Sequence, residues 1–485
     1  MDTLPDDVLL AIFNSYLNED SDEDSEKETE DAWRSLVHVC RQWRSVVFGS
    51  PRHLDLQLVC TGRTPTRDTL DVWPSLPLII KVEGSKPIRS VDDLIAVLER
   101  SDRVCQIELL DFSSLNLETV LATTQQPFPE LINLQSSSDD ETVAVVPDSC
   151  LGGFAPRLET LALQGIPYPG LPKLLLSATH LFFLELLNIP HSGYISPDGM
   201  VATLSTLTSL ESLTLGFQSP RSHPDPATRH PPPSKRSVLP VLTFFRFKGV
   251  TEYLEDCVAC IDTPRLSELS ITVFNDVEFD TPQIVHFISR TPILRRLKNL
   301  HIKVSNEAAY VNFLSPTSGH EDLRVEILCR GFDWQVSSVE QICTSCFPLL
   351  SVLGDLYIYG HPSWSLKWKG KIENGQWMEL LRPFTAVKNL YLSNIFAQRI
   401  GPALQELDGD RITEVLPTLE NFFLDGFGSS GSVVEGIDEF VAAREVAGHP
   451  ITISYLDDLK KMPWYNRRSA WLRGPDGKVA FAQQR

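Results

Sequence analysis

Two cysteine pairs are the side chains in this sequence with the most obvious chemical potential. Cys257-x-x-Cys260 and Cys343-x-x-Cys346 have the spacing with which thiolates grip zinc or form a redox couple. Zinc ribbons set their two pairs roughly fifteen to twenty residues apart, whereas here 82 residues lie between Cys260 and Cys343. Each pair also falls in a helical stretch just before an expected strand, where positions i and i+3 share the buried face. They read as small buried hydrophobes. No other catalytic constellation is present: no Gly-rich phosphate loop, no G-x-S-x-G elbow, no His pair at helical metal spacing. The acidic pairs Asp139-Asp140 and Asp457-Asp458 sit in polar stretches that read as solvated turns. The expectation is a chain that is not an enzyme, with no metal and no cofactor, working by recognition of other proteins.

Composition narrows the partners. A formal charge of −20 argues against nucleic acid, whose phosphates need clustered Lys and Arg, and against an anionic membrane surface. No apolar run approaches the eighteen or so residues of a spanning helix, and the N-terminus is acidic where a signal peptide is basic. Nine scattered cysteines, an odd number, read as reduced thiols. These features predict a chain in the cytosol, the nucleus or both. At 485 residues it exceeds one ordinary core, so several domains or an elongated repeat fold is expected.

The elements start with two short amphipathic helices. Pro5 suits a helix start, Asp6 and Asp7 suit its positive dipole end, and Val8, Leu9, Ile12, Phe13, Tyr16 and Leu17 come after them at helical spacing. Trp33, Leu36, Val37, Cys40, Trp43 and Val47 form a second set. Between them, residues 18–31 carry nine acidic side chains and one Lys, a composition that reads as a solvated loop. A helical pair this small cannot bury both its faces, so it wants a partner.

At Leu4, Pro5, Asp7, Val8, Leu9, Ile12, Val39, Cys40 and Trp43 the chain resembles the F-box family. Leu17 closes the first helix one residue later than the family's spacing, with Tyr16 in its place. The resemblance implies an N-terminal domain that docks a Skp-type adaptor and, through it, cullin. The residues it implies for that interface are Leu4, Pro5, Val8, Leu9, Ile12, Val39, Cys40 and Trp43.

The remainder is dominated by apolar-x-x-apolar-x-apolar. Clear copies begin at Leu158, Leu181, Leu210, Leu242, Leu266, Leu297, Leu353, Val387 and Leu419, with weaker ones near Pro77, Val104, Leu131 and Asp322. A recurring period of this length signals stacked units, each a short strand backed by a helical stretch. The pattern resembles leucine-rich repeats, with Asn188 and Asn394 hinting at that family's turn residue. The fold expected is therefore α/β: a helical F-box over 1–50, then a degenerate leucine-rich-repeat solenoid, or horseshoe, over 51–456. A basic-aromatic segment, 457–485, is expected to cap it or trail as a tail. Residues 50–58 and 73–80 resemble the segments just after the box in the expanded F-box sets of mushroom-type fungi and are expected to be capping strands. Ser219 to Ser237, with six prolines, reads as an insertion between repeats.

In each repeat the residue between the two strand apolars faces away from the core. Those residues are Ala162, Glu185, Thr214, Arg246, Ser270 and His301, then Tyr357, Tyr391 and Phe423. The last three are expected to form an exposed aromatic stripe that binds a protein substrate. The two resemblances together imply the substrate-recognition subunit of a Skp–cullin–F-box ubiquitin ligase, the alternative being a non-catalytic repeat scaffold outside ubiquitylation.

Overall fold

The computed structural model describes residues 4–456 apart from 19–32, 52, 55, 63–69, 71–75, 85–89, 139–145, 223, 225–234, 275–280, 306–307, 316–320, 330–331, 346–347, 361–371 and 426–434. The acidic loop, the tail from Asp457 and most of the Pro-rich insertion therefore lie outside the described residues. The chain divides into two units, one of residues 1–222 and 237–242, the other of 223–236 and 243–485.

In the first unit, α1 (Asp6–Asn18), a helical stretch over 33–37 and α2 (Arg41–Gly49) precede the sheet. Seven parallel strands come next, adjacent in chain order. They are β1 (Leu58–Thr61), β2 (Leu78–Glu83), β3 (Val104–Leu110), β4 (Asn133–Ser137), β5 (Thr160–Gln164), β6 (Phe183–Ile189) and β7 (Ser212–Phe217). The helices α3 (Val91–Leu98), α4 (Ser114–Ala122), α5 (Leu171–Ser177) and α6 (Pro197–Leu204) fall between strands. Local signals set their starts. Ser90 and Ser196 accept hydrogen bonds from the N–H groups of Asp93 and Gly199, three residues on, and Pro197 occupies the first helical position. Asn188 turns the chain after its strand apolars with φ +50°, a conformation asparagine tolerates better than most residues.

The register confirms the repeat. Ile107, Leu134, Leu161, Leu184 and Leu213 are direct neighbours across β3 to β7. The three pattern positions of all nine clear copies are buried, because parallel strands covered by crossover helices hide their apolar pair. One expectation is corrected here. Among the described residues of 50–58, only Leu58 belongs to a strand, β1. After Pro51 the backbone closes on itself through Leu54 N–H to Ser50 C=O and Leu56 N–H to Pro51 C=O, so Leu54 and Leu56 are buried from turns.

The second unit holds nine strands in its sheet among the described residues: β8 (Phe244–Gly249), β9 (Glu268–Phe274), β10 (Asn299–Val304), β11 (Ala308–Leu314), β12 (Glu321–Leu328), β13 (Asp355–Gly360), β14 (Asn389–Ser393), β15 (Asn421–Asp425) and β16 (Thr452–Leu456). Its helices are α7 (Thr251–Cys260), α8 (Pro282–Arg290), α9 (Phe332–Ser345), α10 (Asn374–Leu381), α11 (Asn394–Gln405) and α12 (Glu435–Val446). The strand order is β8-β9-β12-β11-β10-β13-β14-β15-β16, not the simple series the repeat predicts. β10, β11 and β12 form a meander, and β11 runs antiparallel to both neighbours. β10 is thus three places from β9, and α9 carries the chain from β12 back to β13 beside β10. The β-rich segment Ala308-Ala309-Tyr310-Val311-Asn312-Phe313-Leu314 breaks the regular period and supplies the extra strand. Beyond it the repeat resumes with a spacing of 32. Asn389 meets Asn421, Lys388 meets Glu420 and Arg382 meets Glu414, each residue touching its counterpart in the next unit.

Candidate functional site

The helical pair at the N-terminus sorts its apolar residues into two sets. Leu9 and Phe13, at 2% and 0% exposure, are packed inside with Trp33, Leu36, Val37, Val46 and Val47. Phe13 meets the half-buried Trp43 ring at 4.8 Å between centroids, and Trp33 packs edge-on against Phe48 while its indole N–H donates to the Gln57 carbonyl. The interior of the pair is occupied by its own side chains.

The other set faces out. Leu4, Val8, Ile12 and Tyr16 are exposed, Ile12 at 47%, and so is Val39, at 59%. Four-residue steps align Val8, Ile12 and Tyr16 along one edge of α1, while Leu9 and Phe13 lie about 100° further round the helix. Leu4 extends the spacing by one step before the helix begins. Of the eight residues singled out by motif, Leu4, Pro5, Val8, Ile12, Val39 and Cys40 are therefore exposed and Trp43 is half-buried. Leu9 is different. It is an interior residue, because the helical period turns it away from Val8 and Ile12. Tyr16 was not among the eight, and its signal was the step of four from Ile12.

Two polar devices hold this surface in shape. Cys40 caps α2, its Sγ accepting from the Trp43 N–H at 3.4 Å. The Gln42 side-chain amide donates to the Leu4 carbonyl at 3.2 Å and to Asp6 Oδ1 at 3.3 Å, tying the chain start to α2. Pro5 contributes through its carbonyl, which accepts the first helical bond from the Leu9 N–H.

The second candidate surface lies on β10 and β13 to β15. Tyr357 and Tyr391 stack at 4.0 Å with 10° between their planes, and Tyr391 and Phe423 stack at 4.4 Å and 9°. The inserted meander places β10 beside β13, so His301 joins the same stack, 4.2 Å from Tyr357. The structure thus brings the three predicted aromatic residues together in register. It corrects their exposure: Tyr357 is buried, at 9%, while Tyr391 and Phe423 are half-buried. Strands about 4.8 Å apart press rings in register against each other, so each shields the next. Ala162, Glu185, Thr214, Ser270 and His301 at the equivalent positions are buried too.

Burial pushes the Tyr357 and Tyr391 phenols above their ordinary titration range. Beside the rings runs a polar ladder. Asn389 donates to Asp355 Oδ1 at 2.6 Å and Asn421 donates to Asn389 Oδ1 at 2.8 Å. Turned to satisfy its neighbours, the Asn299 amide donates to the other Asp355 oxygen at 2.9 Å. Sequence reasoning missed this row, although Asn299, Asp355, Asn389 and Asn421 all stand one place before the first strand apolar.

The cysteines behave as packing groups where they are described. Cys257 is buried on α7 with Cys260 half-buried one turn on, and Cys343 is buried on α9; Cys346 lies outside the described residues. Among the described residues no helix is long and apolar enough to cross a membrane.

Residues 1–54 match the F-box-like family model. This segment is F-box-like. The F-box-like match contains α1 and α2 and ends just before β1, so the motif residues, the packed interior and the exposed column all fall inside it. No curated protein matches the chain. Among solved structures it is similar to the leucine-rich repeat-containing protein LegL7 from Legionella pneumophila. The two are 12% identical, the likeness covers 79% of this chain and 97% of that one, and the TM-score is 0.26. The repeat character of this chain rests on its own strand register and buried pattern positions.

Proposed function

We propose that this chain is the substrate-recognition subunit of a Skp–cullin–F-box ubiquitin ligase, acting in cytosol or nucleus. The observation that carries the proposal is the exposed column Leu4, Val8, Ile12 and Tyr16, with Val39, on an F-box-like pair whose interior is already filled. Apolar side chains at this density on so small a unit need cover, and a Skp-type adaptor is the cover an F-box-like segment takes. The repeats then hold a protein substrate, with Tyr391 and Phe423 as the accessible anchors of the aromatic stack and Tyr357 as the packed ring that fixes them.

In this reading the chain carries out no bond chemistry itself. It holds a substrate lysine near the ubiquitin-charged enzyme, replacing a bimolecular encounter by an effective concentration. Affinity purification of the full chain with mass spectrometry, with and without proteasome and neddylation inhibitors, tests it. Adaptor and cullin should co-purify, substrates should accumulate under inhibition, and Ile12→Asp should remove adaptor and cullin together. Adaptor without cullin would replace the ligase reading by a scaffold. Absence of both would end it.

A further inference from the structure

Every clear copy of the repeat buries its apolar strand pair, and β16 does not. Ile453 and Tyr455 stand in register with Phe422 and Leu424 of β15, which are fully buried. Ile453 is only half-buried and Tyr455 is 56% exposed. The opposite face of the sheet stops short as well. Its ring row runs from His301 through Tyr357 and Tyr391 to Phe423, with successive centroids 4.2, 4.0 and 4.4 Å apart. The next position in register is Ser454, whose hydroxymethyl group cannot cover a ring. Among the described residues Phe423 thus has a stacked ring on one side only. β16 is also the outermost strand, with β15 as its one neighbour among the described residues. The Thr452 N–H donates to the Glu420 carbonyl at 2.9 Å, so alternation turns the Ile453 N–H toward the open edge.

The segment that follows has what this edge lacks. Residues 457–485 start directly from the end of β16, and the pair Trp464-Tyr465 begins eight residues past Leu456. Both rings suit strands, and Pro463 suits a strand's first position. Lys460, Lys461, Arg467 and Arg468 bracket the pair with charges of the kind that keep an outermost strand from pairing further. A parallel return takes a crossover of about a dozen residues or more, so a link this short makes a hairpin. Residues opposed across a hairpin share a face, and neighbours along it alternate. With Trp464 opposite Ser454, the indole continues the ring row over Phe423. Tyr465 then falls opposite Ile453, on the side left uncovered. We infer that the segment around Trp464-Tyr465 pairs antiparallel with the open edge of β16, Trp464 stacking on Phe423 and Tyr465 covering Ile453. The short link holds the segment at an effective concentration of about millimolar, so it takes the edge ahead of a second copy or a separate partner. On the receptor reading above, Trp464 joins Tyr391 and Phe423 at the substrate face. The pairing itself does not depend on that reading.

Amide exchange on the intact chain, read by mass spectrometry over residues 451–456, tests the inference, because the Ile453 N–H is protected only if something pairs with the edge. The wild-type chain should protect it. The double variant Trp464→Ser with Tyr465→Ser should exchange at least tenfold faster over 451–456. Trp471→Ser, which removes an aromatic residue further along the same segment, should change nothing. The ring-keeping variant Trp464→Tyr with Tyr465→Trp should retain protection, and it decides the matter if the double variant melts early. Unchanged exchange in the double variant overturns the inference, as does an equal effect of Trp471→Ser. Protection that grows with protein concentration would also overturn it, in favour of a second copy on the edge. Neither adaptor nor substrate enters this measurement. Loss of adaptor binding with the edge still protected would remove the receptor reading alone, and the reverse result would remove this pairing alone.

Discussion

Neighbouring residues on α1 should fail in opposite ways when changed. Ile12 is 47% exposed and Phe13, the next residue, is fully buried against Trp43. Burying a whole Ile side chain stabilises by about 1.5–3 kcal/mol, so covering the exposed half of Ile12 with a partner is worth about 1 kcal/mol. Ile12→Ala should therefore weaken adaptor binding about fivefold. Ile12→Asp adds a carboxylate that loses water without gaining a partner, which costs several kcal/mol more, so affinity should fall over a hundredfold. Neither change touches the packed interior, and the cost of Asp in an exposed helix position is only about half a kcal/mol. Phe13→Ala instead opens a cavity beneath Trp43 worth about 3–5 kcal/mol and should loosen the helical pair itself. Calorimetric titration with a purified Skp-type adaptor gives the affinities, and amide exchange over residues 4–50 reports the integrity of the pair. If Ile12→Asp binds normally, the exposed column is not the docking surface. If it raises exchange as much as Phe13→Ala, the division into inner and outer residues is wrong.

Three further outcomes concern burial elsewhere in the chain. Tyr357→Ser should destabilise the second unit by about 3 kcal/mol, since it empties a buried position and breaks two stacks, whereas Tyr391→Phe, which keeps its stacked ring, should cost at most about 1 kcal/mol, by chemical denaturation. Alkali should unfold the protein once tyrosines are forced to ionise. Burial pushes Tyr310 up to about 12, and Tyr168 and Tyr357 higher still, so the neutral forms are favoured in the fold. The stability they contribute is fully present below pH 10 and is lost as pH rises past it, and the late tyrosinate absorbance should coincide with loss of far-ultraviolet signal. Arg444, 1% exposed, donates to the carbonyls of Ile412 and Pro417 at 3.2 Å and lies against the Phe440 ring. Arg444→Met should lower stability by about 3 kcal/mol, and Arg444→Lys should not restore it, because an ammonium cannot span both carbonyls.

Much of the fold was legible because its signal is geometric. A strand whose fourth and sixth pattern residues are both buried must place the fifth on the other face, and every clear copy obeys this from Leu158 to Leu424. The meander was not legible. β12 satisfies the same pattern as its neighbours, and nothing in its residues says that β11 will lie between it and β10. Exposure was the other failure. Alternation places Tyr357, Tyr391 and Phe423 on one face, but how far each ring is covered depends on all its neighbours: Tyr357 and Tyr391 each have a ring on both sides, yet only Tyr357 is buried. In the F-box-like segment the motif marked the right residues without dividing them, since a family pattern constrains interior and interface alike. The helical period separates Leu9 from Ile12, and only the packing of the second helix decides which of the two edges faces out.

The meander also explains why the second unit carries two kinds of surface chemistry side by side. In an uninterrupted repeat, β9 would pair with β10 and Ser270 would stand next to His301. Instead β12 and β11 intervene, bringing Arg324, Glu326, Tyr310 and Asn312 onto the face. Antiparallel β11 points its backbone the other way yet keeps the alternation, so Tyr310 and Asn312 remain on the same side as Lys303 and His301. Tyr310 then sits where the two chemistries meet. Its ring lies against Arg324 on one side and Lys303 on the other, and Lys303 shares β10 with His301, the first ring of the stack. The irregularity that costs the repeat its regular order thus sets Arg324 and Tyr310 between the strand of Arg246 and the strand of His301. Removing residues 305–328, so that β10 takes its place in the regular series, would leave Arg246 and Lys248 without Arg324.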